Sequence, residues 1–384
     1  MAADPEALRV LALLPVAGQP RHAKRIDVLL GMGCRVHAGL FRRERERGRM
    51  PRCEITELGH IADYRYVSRL GALWRARTAV RELAACADVV YAFGPDMALL
   101  AIVASDKPVV MEIGDIVALQ VRRDLIGGAY RRLDRWIARR CGLIVTTTPK
   151  FLSEYYGRWL GISTPGLVLE NKVEAVWAAS VRGGGVPPRR DRRPGDPIRI
   201  GYFGLLGCQW ALDTLHALLV GHPGRFEVVL AGKEWPGADL KRFLETTPGT
   251  RSLGPYRSPD DLPGLYGSID VTWACYPPIQ AQDWNLRWAR PNRFYESCLF
   301  GAPLISRAGS SDAEDVAKWD LGLIVDEVDP GRAAELLASR ISDDSLVTWG
   351  RSMRQLPPEV YSYTDEFDRL IARMRGLAVG GRRS

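Results

Sequence analysis

Arg290-Pro-Asn-Arg-Phe-Tyr-Glu-Ser-Cys-Leu-Phe-Gly-Ala-Pro-Leu-Ile305 sets a cationic residue, Arg293, and a lone carboxylate, Glu296, before an apolar segment and a Gly-Ala-Pro turn into a strand. The spacing of Phe294, Cys298 and Leu299 predicts a short amphipathic helix, which Gly301 and Pro303 stop ahead of Leu304-Ile305. On that helix Arg293 and Glu296 are three residues apart and share a face. Beyond the end of a parallel strand, such a face suits a diphosphate and a ribose. The helix N-terminus offers N–H groups and partial positive charge, and a carboxylate accepts from two vicinal hydroxyls. A plain surface i,i+3 ion pair has the same spacing, and spacing alone does not separate the two.

Outward from this stretch the chain alternates strands and helices. Arg9 to Leu14, a helix through Arg21 to Met32 and a strand Arg35 to Leu40 form a βαβ opening. Val89 to Phe93, a helix from Asp96, Pro108 to Glu112, a helix around Tyr130 to Cys141 and Leu143 to Thr147 continue it. A second series follows, with strands near 198–203, 226–231, 269–273, 303–306 and 321–325 and helices that include 210–220, 258–267, 292–300 and 331–340. Between the series, 174–197 is rich in Gly, Pro and like charges and reads as a linker. The expected division is an N-terminal Rossmann-like domain over 1–175, a linker over 176–197, a C-terminal Rossmann-like domain over 198–355 and a terminal helical segment over 356–384. In the last of these, Phe367, Leu370, Ile371, Met374 and Leu377 stand at helical spacing.

With 384 residues, 46% hydrophobic and 26% charged, the chain has material for two cores and is not disordered. Its apolar runs end well short of membrane-spanning length. The start, Met-Ala-Ala-Asp-Pro-Glu, lacks the features of a secretory signal, so a cytoplasmic location is expected. Seven cysteines stand singly, without Cys-x-x-Cys or a histidine at metal spacing, and read as buried thiols. A formal charge of +8 favours an anionic partner. No nucleic-acid-binding motif accompanies it, so nucleic acid is not expected.

The Arg290–Ile305 stretch resembles the donor-site signature of GT-B glycosyltransferases of bacterial polysaccharide assembly, a Pro-Asn/Leu-Lys-x-Tyr/Phe-Glu run closed by Gly-x-Pro. Ile198-Arg-Ile-Gly-Tyr-Phe-Gly-Leu-Leu-Gly207 resembles the first strand and glycine loop of that family's C-domain, Val228 to Gly232 its next strand, and Leu167 to Asn171 the strand that closes its N-domain. The resemblance covers most of the chain. It implies two Rossmann-like α/β domains with parallel sheets facing a central cleft, a nucleoside-diphosphate sugar as donor, and a saccharide or lipid-linked acceptor in surface glycan synthesis. The tail helix would cross back to the N-domain, or else end the second domain. A nucleotide-sugar 2-epimerase on the same fold and a non-catalytic nucleotide-sugar-binding subunit are the alternatives.

By the same resemblance Glu296 contacts the ribose and Arg293 the diphosphate. Gly204 and Gly207 would let backbone approach phosphate, with the helix beginning near Trp210 facing it. A tight βα turn explains those glycines as well. The family's basic residues after this turn are absent, Leu205 and Leu206 standing there, so Arg290 is expected to share the phosphate load with Arg293. Trp288 stands where retaining members carry a second Glu. Trp235 would pack on the base or sit as a half-buried loop aromatic, and Gln282, Asp283 and Asn285 would read sugar hydroxyls.

In the N-domain, Gly114 stands where many members have a histidine, while Asp115 is retained, either as general base or as a helix cap. His22 could act for the absent histidine or be structural. Gly18 and Arg21 would border the acceptor and donor phosphates. No metal or other cofactor is required by this reading, since no Asp-x-Asp occurs. Arg122 to Arg140, which interleaves seven arginines with Leu125, Tyr130, Leu133, Trp136 and Ile137, suits an anionic membrane surface and a peripheral location. A domain helix with a solvated cationic face fits it equally.

Overall fold

The computed structural model describes residues 6–43, 50–61, 66–185, 190–193 and 195–380. The chain divides into two compact units, Met1–Glu170 with Asp365–Ser384, and Asn171–Thr364.

The first unit runs β1 (Arg9–Leu14), α1 (Pro20–Gly31), β2 (Arg35–Arg42), β3 (Glu54–His60), α2 (Tyr66–Ala85), β4 (Val89–Phe93), α3 (Pro95–Ala104), β5 (Val109–Ile113), α4 (Ala118–Val121), α5 (Leu125–Ala138), β6 (Leu143–Thr146), a π-helical stretch (Phe151–Trp159) and β7 (Gly166–Val168). The strands form one sheet in the order β3-β2-β1-β4-β5-β6-β7, every pair parallel. β4, β5 and β6 are wholly buried, as their mainly apolar runs require of a sheet covered on both faces, with Glu112 of β5 and Thr146 of β6 the polar exceptions.

The second unit holds α6 (Ala175–Ser180), β8 (Ile198–Leu206), α7 (Gln209–Gly221), β9 (Phe226–Glu234), α8 (Leu240–Thr246), β10 (Thr250–Ser252), α9 (Leu262–Gly267), β11 (Val271–Trp273), α10 (Trp284–Trp288), α11 (Asn292–Phe300), β12 (Leu304–Arg307), α12 (Ser311–Trp319), β13 (Gly322–Val325), α13 (Pro330–Arg340) and α14 (Asp343–Gln355). Its parallel sheet has the order β10-β9-β8-β11-β12-β13. Both sheets are therefore doubly wound. The chain leaves the first strand toward one edge and resumes with the fourth on the other side, which opens a crevice at the C-terminal ends of β1 and β4, and of β8 and β11.

The stretch expected as a linker is instead part of the second unit. Ala175–Ser180 is helical, the Arg182 guanidinium donates to the Cys298 carbonyl at 2.9 Å, and the Arg190 N–H donates to the Gly267 carbonyl at 2.8 Å. Two of the like charges in this stretch meet carboxylates distant in sequence: Arg190 lies 3.5 Å from Asp270, and Arg192 pairs with Asp343. Residues 186–189 and 194 lie outside the described ones. The two passages of chain at the unit boundary bond to each other, Val173 N–H to the Tyr361 carbonyl at 2.8 Å and Tyr363 N–H to the Val173 carbonyl at 3.0 Å.

Beyond that point α15 (Glu366–Gly380) packs on α1 and β4 of the first unit, with Phe367, Leu370, Ile371 and Met374 buried. Leu377 fills the space above Gly142, where a Cβ would come within 2.6 Å of it. Among the described residues no helix is long and apolar enough to cross a membrane.

Candidate active site

In the second unit the C-terminal ends of β8, β11 and β12 carry the motif residues. Gly204 has φ +107°, and opposite it Gly232 has φ +148° with the Gly204 carbonyl oxygen 1.8 Å from where a Cβ would lie. Glycine is thus obligatory at 232, and the ends of β8 and β9 close tightly before α7 begins. Gly207 also has no room for a side chain, because a Cβ would stand 2.7 Å from the Trp235 Cβ. The half-buried Trp235 is packed on the turn itself. Cys208, at the N-cap of α7, makes no side-chain capping bond to the first turn.

α11 runs from Asn292 to Phe300 and ends at Gly301, whose φ of +69° supplies the left-handed cap. Glu296 lies in its interior, 8% exposed, and accepts a hydrogen bond from the Tyr266 hydroxyl at 2.9 Å. Burial and the Glu296 charge push the Tyr266 pKa far up, so the phenol keeps its proton and remains the donor. Burial and then Glu296 raise Tyr256 as well. Arg293, one helical turn before Glu296, lies 5.3 Å from the Tyr202 ring centre, and its Nη1 is buried without a hydrogen-bond partner. Burial works against its charge, yet the hydroxyls of Tyr202, Tyr276, Tyr266 and Tyr256 outweigh that and raise its pKa. A fixed cation and a fixed carboxylate therefore share one face, and the cation keeps an unused donor.

Arg290 is differently placed. It precedes α11 and turns to α12, with Nε 3.1 Å from Asp312, Nη2 2.5 Å from Asp315 and a further bond to the Ser311 carbonyl at 3.1 Å. Its charge is met by two carboxylates, unlike that of Arg293. Asp312 is buried, and burial pushes its pKa up to about 7 against the pull of Arg290. Asn285 lies half-buried in α10 beside the Trp284–Trp288 ring pair. Within the same loop the Gln282 amide donates to Gln280, and Asp283 accepts from the Gln280 N–H, so these two organise the loop.

In the first unit the loop after β1 is held by Ala17 N–H to the Phe41 carbonyl at 3.1 Å and by Arg43 Nε to the Pro15 carbonyl at 3.0 Å. Gly18 turns it with φ +69°, and Pro20 opens α1. Arg21 then reaches the end of β5, its Nε 3.5 Å from buried Glu112 and its Nη1 3.7 Å from Asp115. The guanidinium lies over Gly114, where a Cβ would meet Nη1 at 1.6 Å. Arg21 thus occupies the space that a side chain at 114 would need.

Glu112, which the motif reading passed over, is the anchor: besides Arg21 it meets Arg25 at 3.4 Å and accepts from the Tyr91 hydroxyl. Asp115 has a 55% exposed side chain and is not a helix cap, since α4 starts at Ala118 after Val117. His22 is 2% exposed with its ring 4.4 Å from that of Phe93. Burial, then Arg21, Arg25 and Arg43, depress its pKa far below the usual value. A neutral imidazole packed in the core against Phe93 fits the structural one of the two expected roles. The signal for Glu112 and Arg25 was weak: Glu112 is a single charge in a mainly apolar strand, and Arg25 is one of several charges in the first half of α1.

No family model matches the chain. The succinoglycan biosynthesis protein ExoL of Rhizobium meliloti is 31% identical over 341 residues, covering 86% of this chain and 84% of that protein. Among solved structures, sucrose-phosphate synthase of Thermosynechococcus elongatus aligns with a TM-score of 0.70 at 14% identity, over 97% of this chain and all of that one. HepE of Anabaena, solved with UDP and glucose, aligns at 0.64 and 16% over 95% and 99%. WaaG, a glycosyltransferase of lipopolysaccharide biosynthesis, aligns at 0.62 and 13% over 90% and 94%. Two parallel, doubly wound lobes and a relative so similar across most of both chains establish that the chain belongs to the GT-B glycosyltransferases of bacterial polysaccharide assembly.

Proposed function

We propose that the second unit binds a nucleoside-diphosphate sugar, Glu296 holding the ribose and Arg293 the diphosphate. The observation that carries this is the shared face of α11: a carboxylate oriented by Tyr266 and, one turn earlier, a buried guanidinium with an unpartnered donor. That HepE was solved with UDP-glucose makes a uridine donor the first to test. In the transfer an acceptor hydroxyl forms the new bond to the anomeric carbon. The bond from that carbon to the phosphate oxygen breaks, the nucleoside diphosphate leaves with the electron pair, and the hydroxyl proton passes to the Asp115 carboxylate. Arg21 stands beside Asp115, where its charge steadies the aspartate as the base.

UDP-, GDP- and dTDP-sugars are the probes in a thermal-shift assay. One of them stabilises the wild type, and Arg293→Ala and Glu296→Ala each abolish the shift. A shift untouched by either substitution refutes the donor assignment. Asp115→Asn should abolish transfer with donor affinity intact, whereas unchanged turnover removes Asp115 from the mechanism. Nothing in the comparisons supports the 2-epimerase alternative.

The acceptor in this reading is a saccharide carried at an anionic lipid surface. Supporting it, α5 begins with Leu125 and Ile126, 92% and 59% exposed, and also exposes Leu133, Trp136, Arg132 and Arg135, with Arg139 and Arg140 just beyond. Apolar side chains beside arginines suit insertion among anionic headgroups. The chain should co-sediment with phosphatidylglycerol vesicles and not with phosphatidylcholine ones, and Leu125→Glu with Ile126→Glu should prevent it. Equal sedimentation with both lipids would refute the surface assignment.

A further inference from the structure

We propose that Arg307 is a second diphosphate-binding cation of the donor site, supplying from β12 the charge that the glycine turn lacks at Leu205 and Leu206. The proposal rests on the donor reading above and adds a residue to it. Arg307 is the last residue of β12, at the same C-terminal edge of the sheet as the Gly204–Gly207 turn. It is 2% exposed. Its Nε donates to the Tyr276 carbonyl at 3.0 Å and its Nη1 to the Glu327 carbonyl at 2.7 Å, bonds that fix the guanidinium without neutralising it. The guanidinium also lies 4.2 Å from the ring centre of Trp210, in the first turn of α7. Trp210 is itself held by a bond from its Nε1 to the Val328 carbonyl at 2.7 Å.

Two features separate this arginine from a structural one. Its Nη2 is buried with no hydrogen-bond partner, and among the described residues no carboxylate pairs with it. A buried cation in that state is unfavourable unless something else supplies the counter-charge. Arg290 is the internal contrast, since in the same lobe it has both Asp312 and Asp315. The charge of Arg307 also reaches the turn. At Cys208, between the turn and α7, burial raises the thiol pKa while Arg293 and Arg307 both pull it down. Cys275, two residues beyond β11, is buried, and its thiol is pulled down by Arg307, through charge and a hydrogen bond, and by Arg293.

Two buried guanidinium donors, Arg293 Nη1 and Arg307 Nη2, are thus unspent around the N-terminus of α7. A single phosphate needs one such clamp. A diphosphate, whose distal phosphate gains charge as the bond to the sugar breaks, uses two.

Isothermal titration with the best-stabilising member of UDP, GDP and dTDP, and with its monophosphate, tests this. Arg307→Gln should weaken diphosphate binding by about 10–100-fold, the range for a lost hydrogen bond to a charged group. The monophosphate should lose far less. Equal losses for the two nucleotides, or no loss for either, overturn the proposal. Glu296→Gln weakens both nucleotides alike, because both carry the ribose. If it weakens neither, or if the wild type binds no nucleotide, the donor reading fails and this inference goes with it. Should Arg307→Gln fold poorly, 15N-arginine spectra of the wild type decide. The Arg307 side-chain resonance, assigned with Arg307→Lys, should move on adding diphosphate and stay on adding monophosphate, and an unmoved resonance overturns the role.

Discussion

Gly114→Ala isolates the role of Arg21. Gly114 is not among the glycines with positive φ, so alanine meets no backbone strain and only its Cβ matters. That Cβ would stand 1.6 Å from Arg21 Nη1, 1.9 Å from Cζ and 2.0 Å from Nη2. Nonbonded contact needs about 3.5–4.0 Å, so the guanidinium must retreat by roughly 2 Å, which takes it away from Glu112 and Asp115. The fold should barely register this. Glu112 keeps Arg25 and the Tyr91 hydroxyl, so its buried charge stays compensated. The lost pair is worth about 0.5–1 kcal/mol, and the stiffer unfolded chain of the alanine variant offsets about 0.4–1 kcal/mol.

The expected net change is therefore within about 1 kcal/mol, a Tm shift of about 2–4 °C at most. Turnover should nonetheless fall as far as in Arg21→Ala. The decisive measurement is the cycle of both substitutions, read by sugar transfer and thermal unfolding. Once Arg21 is truncated the space above residue 114 is free, so adding Gly114→Ala to Arg21→Ala should change nothing further. Losses that add in the double variant would refute the reasoning. So would a loss of several kcal/mol with turnover intact.

Arg25→Met should cost about 3–5 kcal/mol in denaturant unfolding, because it strips buried Glu112 of its closest cation. It also leaves the Leu169 carbonyl, which Arg25 Nη2 meets at 2.5 Å, without that donor. A cost below about 1 kcal/mol would show that Arg21 alone compensates the carboxylate. Asp312 makes a pH-dependent contribution of opposite sign to that of most carboxylates. Its folded pKa of about 7 lies above its ordinary value of 3.8, so the folded state holds the proton more tightly. That stabilisation is complete below about pH 4 and is lost as pH rises to about 7. The Tm of Asp312→Asn relative to the wild type should therefore rise between pH 4.5 and pH 7.5, and a difference that stays flat or falls would place the titration elsewhere.

The doubly wound sheets were legible because their strands are apolar runs too short for helices, set between helical periodicities. β1, β4, β5, β8 and β12 were all readable in this way. β3 was not, since Glu54–His60 is a polar edge strand with no buried residue in its pattern. Nor was α12, whose Ser-Asp-Ala-Glu-Asp start shows little apolar spacing although Ser310 caps it. In the site, the Arg293–Glu296 face was legible because one helical turn fixes it. The hydroxyl that orients Glu296 was not, as Tyr266 stands thirty residues earlier on another helix.

The arginines show why composition cannot locate a binding site in so basic a chain. Arg290, Arg293 and Arg307 lie within one strand-helix-strand passage, and sequence gives them equal charge. Their availability is decided by carboxylates whose positions depend on the fold: α12 delivers Asp312 and Asp315 to Arg290, while Arg307 meets backbone carbonyls, the Cys275 thiol and the Trp210 ring and, among the described residues, no carboxylate. The same logic governs the first unit. Gly114 reads in sequence as a missing histidine, but in three dimensions it is the gap that admits Arg21, itself braced by a carboxylate two residues earlier on the strand. The group beside Asp115 has therefore been exchanged and not lost. A guanidinium brings a planar fork of five donors where an imidazole would bring two ring nitrogens, so the space above residue 114 is filled by a different geometry of donors.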